Sequence, residues 1–592
     1  MADQKTDSRP EAAAPPLPTL EEMQHWTWVM GRAQQMMLEH VAKAMGEQAA
    51  GQKAATLPWL NMLPDAAKVA EAQTALWSEG LSIWQKALGI ETPRTAIEEK
   101  ADRDKRFAAP QWRDNPLFDM IRQSYLLVSE RLLGSVDALE GVDPKQREKL
   151  RFMTRNFVDA MAPSNFALTN PLVLERAVET KGESLLKGLQ HMLDDLSKGQ
   201  LTHTDPDAFE VGRNIAVTPG KVVRRTPLYE LIQYSPTTGE VHETPLIIFP
   251  PWINRFYILD LNPKKSFIRW AVEQGLTVFV VSWKSADESL AETTLDDYVL
   301  RGQVDAIDTV RELLGVDSVH AIGYCVAGTT LAATLALLEA RGQADKVASA
   351  TFFTAQVDFS EAGDLNLFVA DDTLQMIEQL SAEKGYLDGR YMAATFNALR
   401  GRDLIWSYVA NNYLMGEDYA PFDLLHWNSD TTNLPAKWHQ AYLRDFYRDN
   451  KLVRAGEMIV DGTPIDIHGV KTPTYVQAGR EDHIAPAASV WKITHYFRGG
   501  LRFVLAGSGH IAGVVNPPEA QKYQYWTNET KATTLEEFVA GATEHKGSWW
   551  PDWAKWIGAL SEKKVPAKGA RLPGGGKLKA IEDAPGSYVK AR

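Results

Sequence analysis

The sequence predicts an α/β protein: a mostly parallel sheet clad in helices on both faces, interrupted by an inserted cap and preceded by an all-α N-terminal domain. Three observations carry this. Up to about residue 200, apolar residues recur at three- and four-residue steps, the period of amphipathic helices. From Lys221 onward, short apolar runs alternate with helical stretches, the pattern of parallel strands joined by crossover helices. The apolar run Ser318 to Tyr324 gives way at Cys325 to the Ala/Leu-rich segment Val326 to Arg341, which has high helical propensity.

At 592 residues the chain has room for two or more domains. Hydrophobic residues at 44% and charged ones at 23% fit a soluble globular protein. A formal net charge of -13 argues against a nucleic-acid binder, which needs a basic surplus. The single cysteine excludes an internal disulfide and suits a reducing cytoplasm. The opening MADQKTDSRPEAAAPP lacks the apolar core of a secretory signal. The longest apolar runs, such as Pro245 to Trp252 and Leu276 to Trp283, are too short to span a bilayer. The expectation is a cytoplasmic protein without a transmembrane segment, its many Trp and Met leaving room for contact with an apolar phase.

Residues 1–18 are Ala/Pro-rich and expected to be disordered; residues 19–205 are expected to form the helical domain. Thr19-Leu20-Glu21-Glu22 is a capping box, and Met23, Trp26, Met30, Ala33 and Met37 then make one apolar stripe. A second helix carries Val69, Leu76 and Ile83 in register. Such stripes either pack against the rest of the protein or offer a soft surface to a partner or a hydrophobic particle. From Asp104 to about Leu196 the helical pattern is broken at Asn115-Pro116, Asp143-Pro144 and Asn170-Pro171. The polar link LTHTDPDAFEVG at 201–212 marks the boundary, and residues 206–592 make the α/β domain.

Within that domain Lys221 to Arg225, Tyr229 to Tyr234 and Leu246 to Phe249 read as strands, and Asn262-Pro263 as a helix start. Leu276 to Ser282 reads as a buried strand, Leu295 to Leu314 as a helix and Val347 to Phe353 as another strand. The alternation stops after Asp358. Residues 359–470 are rich in aromatics and amides, among them Phe396, Trp406, Tyr408, Tyr413, Trp427 and Trp438. They read as a cap over the strand ends that keeps water from the site. Thr474 to Gln477, a helix around Ala488 to Phe497 and Arg502 to Leu505 resume the sheet. The tail from Gly547 is Trp-rich, then Lys/Gly/Pro-rich, and reads as loose and solvated.

Cys325 stands on the turn between strand and helix, with Gly323 two residues before it and Gly328 three after. That is the layout of a nucleophile elbow, where strand and helix backbones pass too closely for large side chains. The helix N-terminus favours a thiolate, the nucleophilic form. The spacing departs from G-x-(S/C)-x-G, because Ala327 fills the last position. A lone cysteine is more often a small buried hydrophobe, so the partners matter. Gly479-Arg480-Glu481-Asp482-His483 follows one strand and Gly507-Ser508-Gly509-His510-Ile511 the next. Cys325, Asp482 and His510 thus keep the nucleophile–acid–histidine order of the α/β-hydrolase fold. Asp358 and His483 are rivals; His510 is preferred because it lies after the last strand read. An oxyanion hole needs backbone N–H donors: Val326 offers one, and after Pro250 and Pro251, which have none, Ile253 is the choice for the second. No metal site is read.

The segments GYCVAGTT, GREDHIAP and GSGHIAGVVNPP resemble the class I polyhydroxyalkanoate synthases. So do PLIIFPPWINRFYILDLNP, FFTAQVDFSEAGDL, FNALRGRDLIWSYVANNYL, HWNSDTTNLPA, WRDNPLFDMIRQSYLL and APSNFALTNP, so that the resemblance runs from about Arg106 to about Trp553. It implies polymerisation of (R)-3-hydroxyacyl-CoA into a storage polyester with release of CoA, Cys325 being the nucleophile, His510 the base and Asp482 the acid. In the family that Asp is often assigned to activating the substrate hydroxyl. The resemblance further implies a homodimer formed through the cap and an N-terminal domain that contacts polymer granules and partners. No cofactor is implied, since coenzyme A is part of the substrate and a product. Val326 resembles class I, which favours short-chain substrates such as 3-hydroxybutyryl-CoA; the medium-chain class tends to have Ser there. The alternative on the same fold is a Cys-dependent esterase or polyester depolymerase.

Overall fold

The computed structural model describes residues 82, 83, 85, 86, 93–139 and 141–591. The expected disordered segment 1–18, the Met/Trp stripe and Val69 and Leu76 lie outside them; Ile83 is a buried helical residue. The described chain forms two compact units: residues up to Leu201 with Gly401–Asp418, and Thr202–Arg400 with the chain from Tyr419 onward.

The first unit is built from α1 (Ala96–Arg103), α2 (Pro116–Asp137), α3 (Pro144–Ala160), α4 (Pro171–Glu179) and α5 (Glu183–Lys198). The breaks read at Asn-Pro and Asp-Pro are helix starts. Asn115, Asp143 and Asn170 accept the N–H of Leu117, Lys145 and Leu172, while each proline fills the first helical position, where no N–H is needed. Residues 401–418, read from the sequence as part of the cap, pack in this unit instead. Arg402 and Arg106 both donate to Asp159, at 2.7 and 3.1 Å, and the Tyr413 hydroxyl donates to Asp195 at 2.6 Å. Gly188 of α5 lies so close to the Tyr413 carbonyl that a Cβ would not fit.

The second unit is one eleven-stranded sheet with its cap. Its strands are β1 (Gly220–Arg225), β2 (Tyr229–Tyr234), β4 (Leu246–Phe249), β5 (Val278–Trp283), β6 (Val319–Tyr324), β7 (Val347–Phe353), β8 (Thr474–Gly479), β9 (Leu501–Ala506), β10 (Gln524–Thr527), β11 (Thr543–Lys546) and β13 (Glu582–Asp583). The spatial order is β11-β10-β9-β8-β7-β6-β4-β5-β2-β1-β13. The six strands from β9 to β5 run parallel and are almost wholly buried, as a sheet covered on both faces requires. Among the covering helices are α6 (Phe267–Glu273), α7 (Asp305–Leu314) and α8 (Val326–Ala340). Apolar side chains of the sheet fall into two clusters, one on each face, and α8 is buried along nearly its whole length. Parallel register pairs Phe249 with Gly323, Tyr324 with Phe353 and Gly479 with Ala506, so the loops leaving β4, β6, β7, β8 and β9 emerge at one end of the sheet.

Three sequence expectations need correcting. Asn262-Pro263 starts a tight turn, because the Asn262 side chain accepts the N–H groups of Lys264 and Lys265; the helix begins at Phe267. Two further antiparallel strands, β10 and β11, follow β9, so His510 comes after the last parallel strand and not the last strand. The tail is packed. In α9 (Trp550–Ala559) and the residue before it, the indoles of Trp549 and Trp550 are buried and donate to the carbonyls of Gly513 and Val514, and Trp553 donates to Thr351 Oγ1 at 3.1 Å. Beyond it β12 (Lys564–Pro566) pairs with β3 (Glu240–His242), and β13 extends the main sheet beside β1. Trp550→Ala would leave a cavity and an unmet carbonyl, and is expected to cost about 3–5 kcal/mol, read as an earlier denaturant midpoint; an unmoved midpoint would show that the tail only rests on the domain.

Candidate active site

The corner between β6 and α8 explains the displaced glycine. Cys325 is held at φ 52, ψ -127, a conformation that a side-chain-bearing residue keeps only where its surroundings impose it. A Cβ on Gly323 would lie 2.5 Å from the Gly328 Cα, and one on Gly328 would run into the Ala355 side chain and the Gly323 carbonyl. Position 328 is therefore where the helix passes the strand, and Ala327 is accommodated, its carbonyl taking the amide of buried Gln303 at 2.9 Å. Gly328→Val is expected to yield insoluble or unfolded protein, whereas Ala327→Gly keeps the fold; expression and circular dichroism check both.

Cys325 is partly exposed, at the mouth of the corner. Asp482 follows β8 and His510 follows β9. The Asp482 carboxylate is fully buried: Oδ1 accepts the N–H groups of Ile484 and Ala485 at 2.8 and 2.9 Å, and Oδ2 accepts His510 Nδ1–H at 2.7 Å. With Nδ1 so engaged, Nε2 is the ring nitrogen left for Cys325, whose side chain is near enough to help raise the ring's pKa. The Tyr324 hydroxyl donates to the His510 carbonyl at 3.0 Å and fixes the loop. Burial works against a charged His510 ring, but the Asp482 carboxylate and the Cys325 side chain outweigh it and raise its pKa to about 10.

The rivals are placed differently. Asp358 is saturated by Ser360, Asn450 and Tyr496; burial would raise its pKa, but these hydrogen bonds hold it below the usual carboxylate range. His483 is pushed down by burial, with the Asp482 charge opposing, and its side chain makes no hydrogen bond to Cys325 or Asp482 among the described residues. Val326 is the first residue of α8, where backbone N–H groups have no partner within the helix. Ile253 lies in the loop after β4, with its N–H unbonded among the described residues, whereas the next N–H, that of Asn254, is given to Thr432 Oγ1 at 2.7 Å.

Residues 103–271 match the family model described as the N-terminus of poly-beta-hydroxybutyrate polymerase, and residues 245–517 match that of the alpha/beta hydrolase fold. The chain is 46% identical over 541 residues to the poly(3-hydroxyalkanoate) polymerase subunit PhaC of Rhizobium meliloti, covering 90% of this chain and 87% of that one. It is 45% identical to the poly(3-hydroxyalkanoate) polymerase of Methylorubrum extorquens over 90% of this chain and 88% of that one. Against the poly(3-hydroxyalkanoate) polymerase subunit PhaC of Cupriavidus necator it is 41% identical, over 94% and 95% of the two chains. The chain belongs to the poly(3-hydroxyalkanoate) polymerase family. It is an acyltransferase on the α/β-hydrolase fold. Among its described residues no helix is long and apolar enough to cross a membrane.

Within electrostatic reach of Cys325 this polymerase carries residues that the sequence reading missed. Tyr442 and Tyr447 lie on a wide-turn helical stretch of the cap, Tyr442–Arg448. Burial raises both phenols, and the Cys325 charge raises them further, so they stay protonated. Tyr447 accepts from Gln356 Nε2 at 3.3 Å; Gln356 in turn accepts from Ser489 at its side chain and from Thr329 at its carbonyl, at 2.8 and 2.6 Å. Tyr442 stacks on Trp438 at 5.0 Å. An α-helical pattern would put positions five apart on different faces; the wider turn brings them together.

Proposed function

We propose that the enzyme polymerises (R)-3-hydroxyacyl-CoA, with 3-hydroxybutyryl-CoA as the substrate, through a thioester on Cys325. The observation that carries this reading is the 2.7 Å hydrogen bond from His510 Nδ1 to buried Asp482, in a ring whose pKa Asp482 and the Cys325 side chain raise together. With its pKa raised to about 10, His510 already holds the thiol proton on Nε2, and Sγ adds to the acyl carbonyl carbon as the thiolate. The N–H groups of Val326 and Ile253 receive the developing oxyanion. Collapse breaks the bond to the CoA sulfur, which leaves with the proton from His510. This exchange of one thioester for another is nearly thermoneutral. A hydroxyl of a second unit then attacks the acyl-Cys325, its proton passing to His510, and an oxygen ester forms downhill while the thiolate is restored. Asp482 either orients His510 or helps take the hydroxyl proton. No cofactor enters these steps, since coenzyme A arrives and leaves as part of the substrate.

The proposed partners are the polyester granule surface and a second copy of the chain, on the strength of the family resemblance. Purified enzyme given (R)-3-hydroxybutyryl-CoA should release free thiol and turn turbid. A non-extendable acyl-CoA should leave one acyl group on the peptide containing Cys325. Acylation at another residue, or thiol release without polymer, would count against the reading. Consumption of polymer without CoA would favour the esterase or depolymerase alternative.

A further inference from the structure

One hydroxyl of the cap grips the loop after β4. Thr432 Oγ1–H donates to the Trp252 carbonyl at 2.7 Å, and the same oxygen accepts the Asn254 N–H at 2.7 Å. Thr432 is buried. The Trp252 carbonyl and the Ile253 N–H belong to one peptide unit, and in a trans peptide they point opposite ways. Drawing the carbonyl toward Thr432 therefore turns the Ile253 N–H away from the cap segment. The pairing of Phe249 with Gly323 sets this loop beside the one that carries Cys325.

The loop needs such a grip, because Asn254 sits at φ 92, where a residue with a side chain stays only if its surroundings hold it. The segment that supplies Thr432 is itself pinned. Asp430 accepts the Tyr257 hydroxyl at 2.7 Å and Arg255 Nε at 3.3 Å. The Arg255 guanidinium also reaches the carbonyls of Thr431, Tyr588 and Ala591, at 3.3, 3.3 and 2.7 Å. The last residues of the chain thus brace the arginine that ties loop to cap.

We propose that Thr432 is a positioning residue of the acyl-transfer site: its hydroxyl locks the Trp252–Ile253 peptide in the orientation that offers the Ile253 N–H to the thioester oxyanion. Valine at 432 keeps the shape of threonine and loses both hydrogen bonds; serine keeps the hydroxyl. This rests on the reading of Cys325 as an acyl-accepting nucleophile. Wild-type protein that fails to release CoA would overturn that reading, whereas the variants below test the role of Thr432 alone.

The test compares two reactions of the single cysteine in full-length protein. Acylation by (R)-3-hydroxybutyryl-CoA passes through an oxyanion; alkylation by iodoacetamide does not. Thr432→Val is expected to lower kcat for CoA release about 10- to 100-fold with KM little changed, the scale set by loss or misplacement of one oxyanion donor. Its alkylation rate should stay within about twofold of wild type, because thiolate attack on a saturated carbon develops no oxyanion. Thr432→Ser should recover most of the lost kcat. Equal loss of acylation and alkylation would mean a generally disturbed site and would overturn the proposal. So would a Val variant with wild-type kcat, or a folded Ser variant as slow as Val.

Discussion

Cys325→Ala is expected to abolish CoA release and polymer formation together, with a fall in turnover on the order of 10⁴-fold or more, because the proposed acyl-thioester then has no sulfur on which to form. The fold survives the change, since Cys325 is partly exposed and the close packing of the corner is done by Gly323 and Gly328. Cys325→Ser makes a sharper comparison. Serine can be acylated, but the product is an oxygen ester no richer in energy than the polymer ester, so transfer to a hydroxyl loses its downhill step. Intact-protein mass spectrometry should then show wild type losing a single acyl unit to added hydroxyl acceptor and the Ser variant retaining it. Turnover by the Ala variant would end the covalent reading outright.

What the sequence made legible, and what it hid, divides along a physical line. The parallel strands are continuous apolar runs between turn residues, and Cys325, Asp482 and His510 each stand in a short Gly-flanked turn after such a run, so strands and candidate residues could be read together. The antiparallel strands β10, β11 and β13 were hidden because they are short and largely polar: Gln524–Thr527, Thr543–Lys546 and Glu582–Asp583 carry no apolar run. The tail looked solvated for the same reason, since its lysines and glycines outnumber the few side chains that bind it down. Residues 401–418 have the same aromatic-and-amide composition as the rest of the insertion, and composition does not say which body a segment packs against. Tyr442 and Tyr447 escaped because their five-residue spacing matches neither the strand nor the α-helix period. Thr432 stands in a loop with no period at all, and only the hydrogen bonds of its hydroxyl reveal it.

Asp482→Asn is expected to lower kcat/KM by about 10³–10⁴-fold, through the tautomer of His510 more than through lost charge alone. The N–H groups of Ile484 and Ala485 claim the oxygen that faces them, so the asparagine presents its NH2 to the ring. Nδ1 must then accept, which places the imidazole proton on Nε2, where it faces Cys325 and can no longer take the thiol proton. The charge has its own signature. In the wild type, burial opposes a protonated ring, and Asp482 with Cys325 raises the His510 pKa from 6.5 to about 10. A raised pKa stabilises the fold fully below about pH 6.5, and that contribution is lost as pH climbs through about 10. Without the carboxylate burial prevails and the pKa falls. The gap in denaturation midpoint between wild type and Asp482→Asn should therefore be widest at pH 6 and narrow steadily toward pH 10, while the alkaline limb of the activity profile moves to lower pH. A gap that stays constant from pH 6 to pH 10 would mean that Asp482 braces its loop through Ile484 and Ala485 without acting on His510.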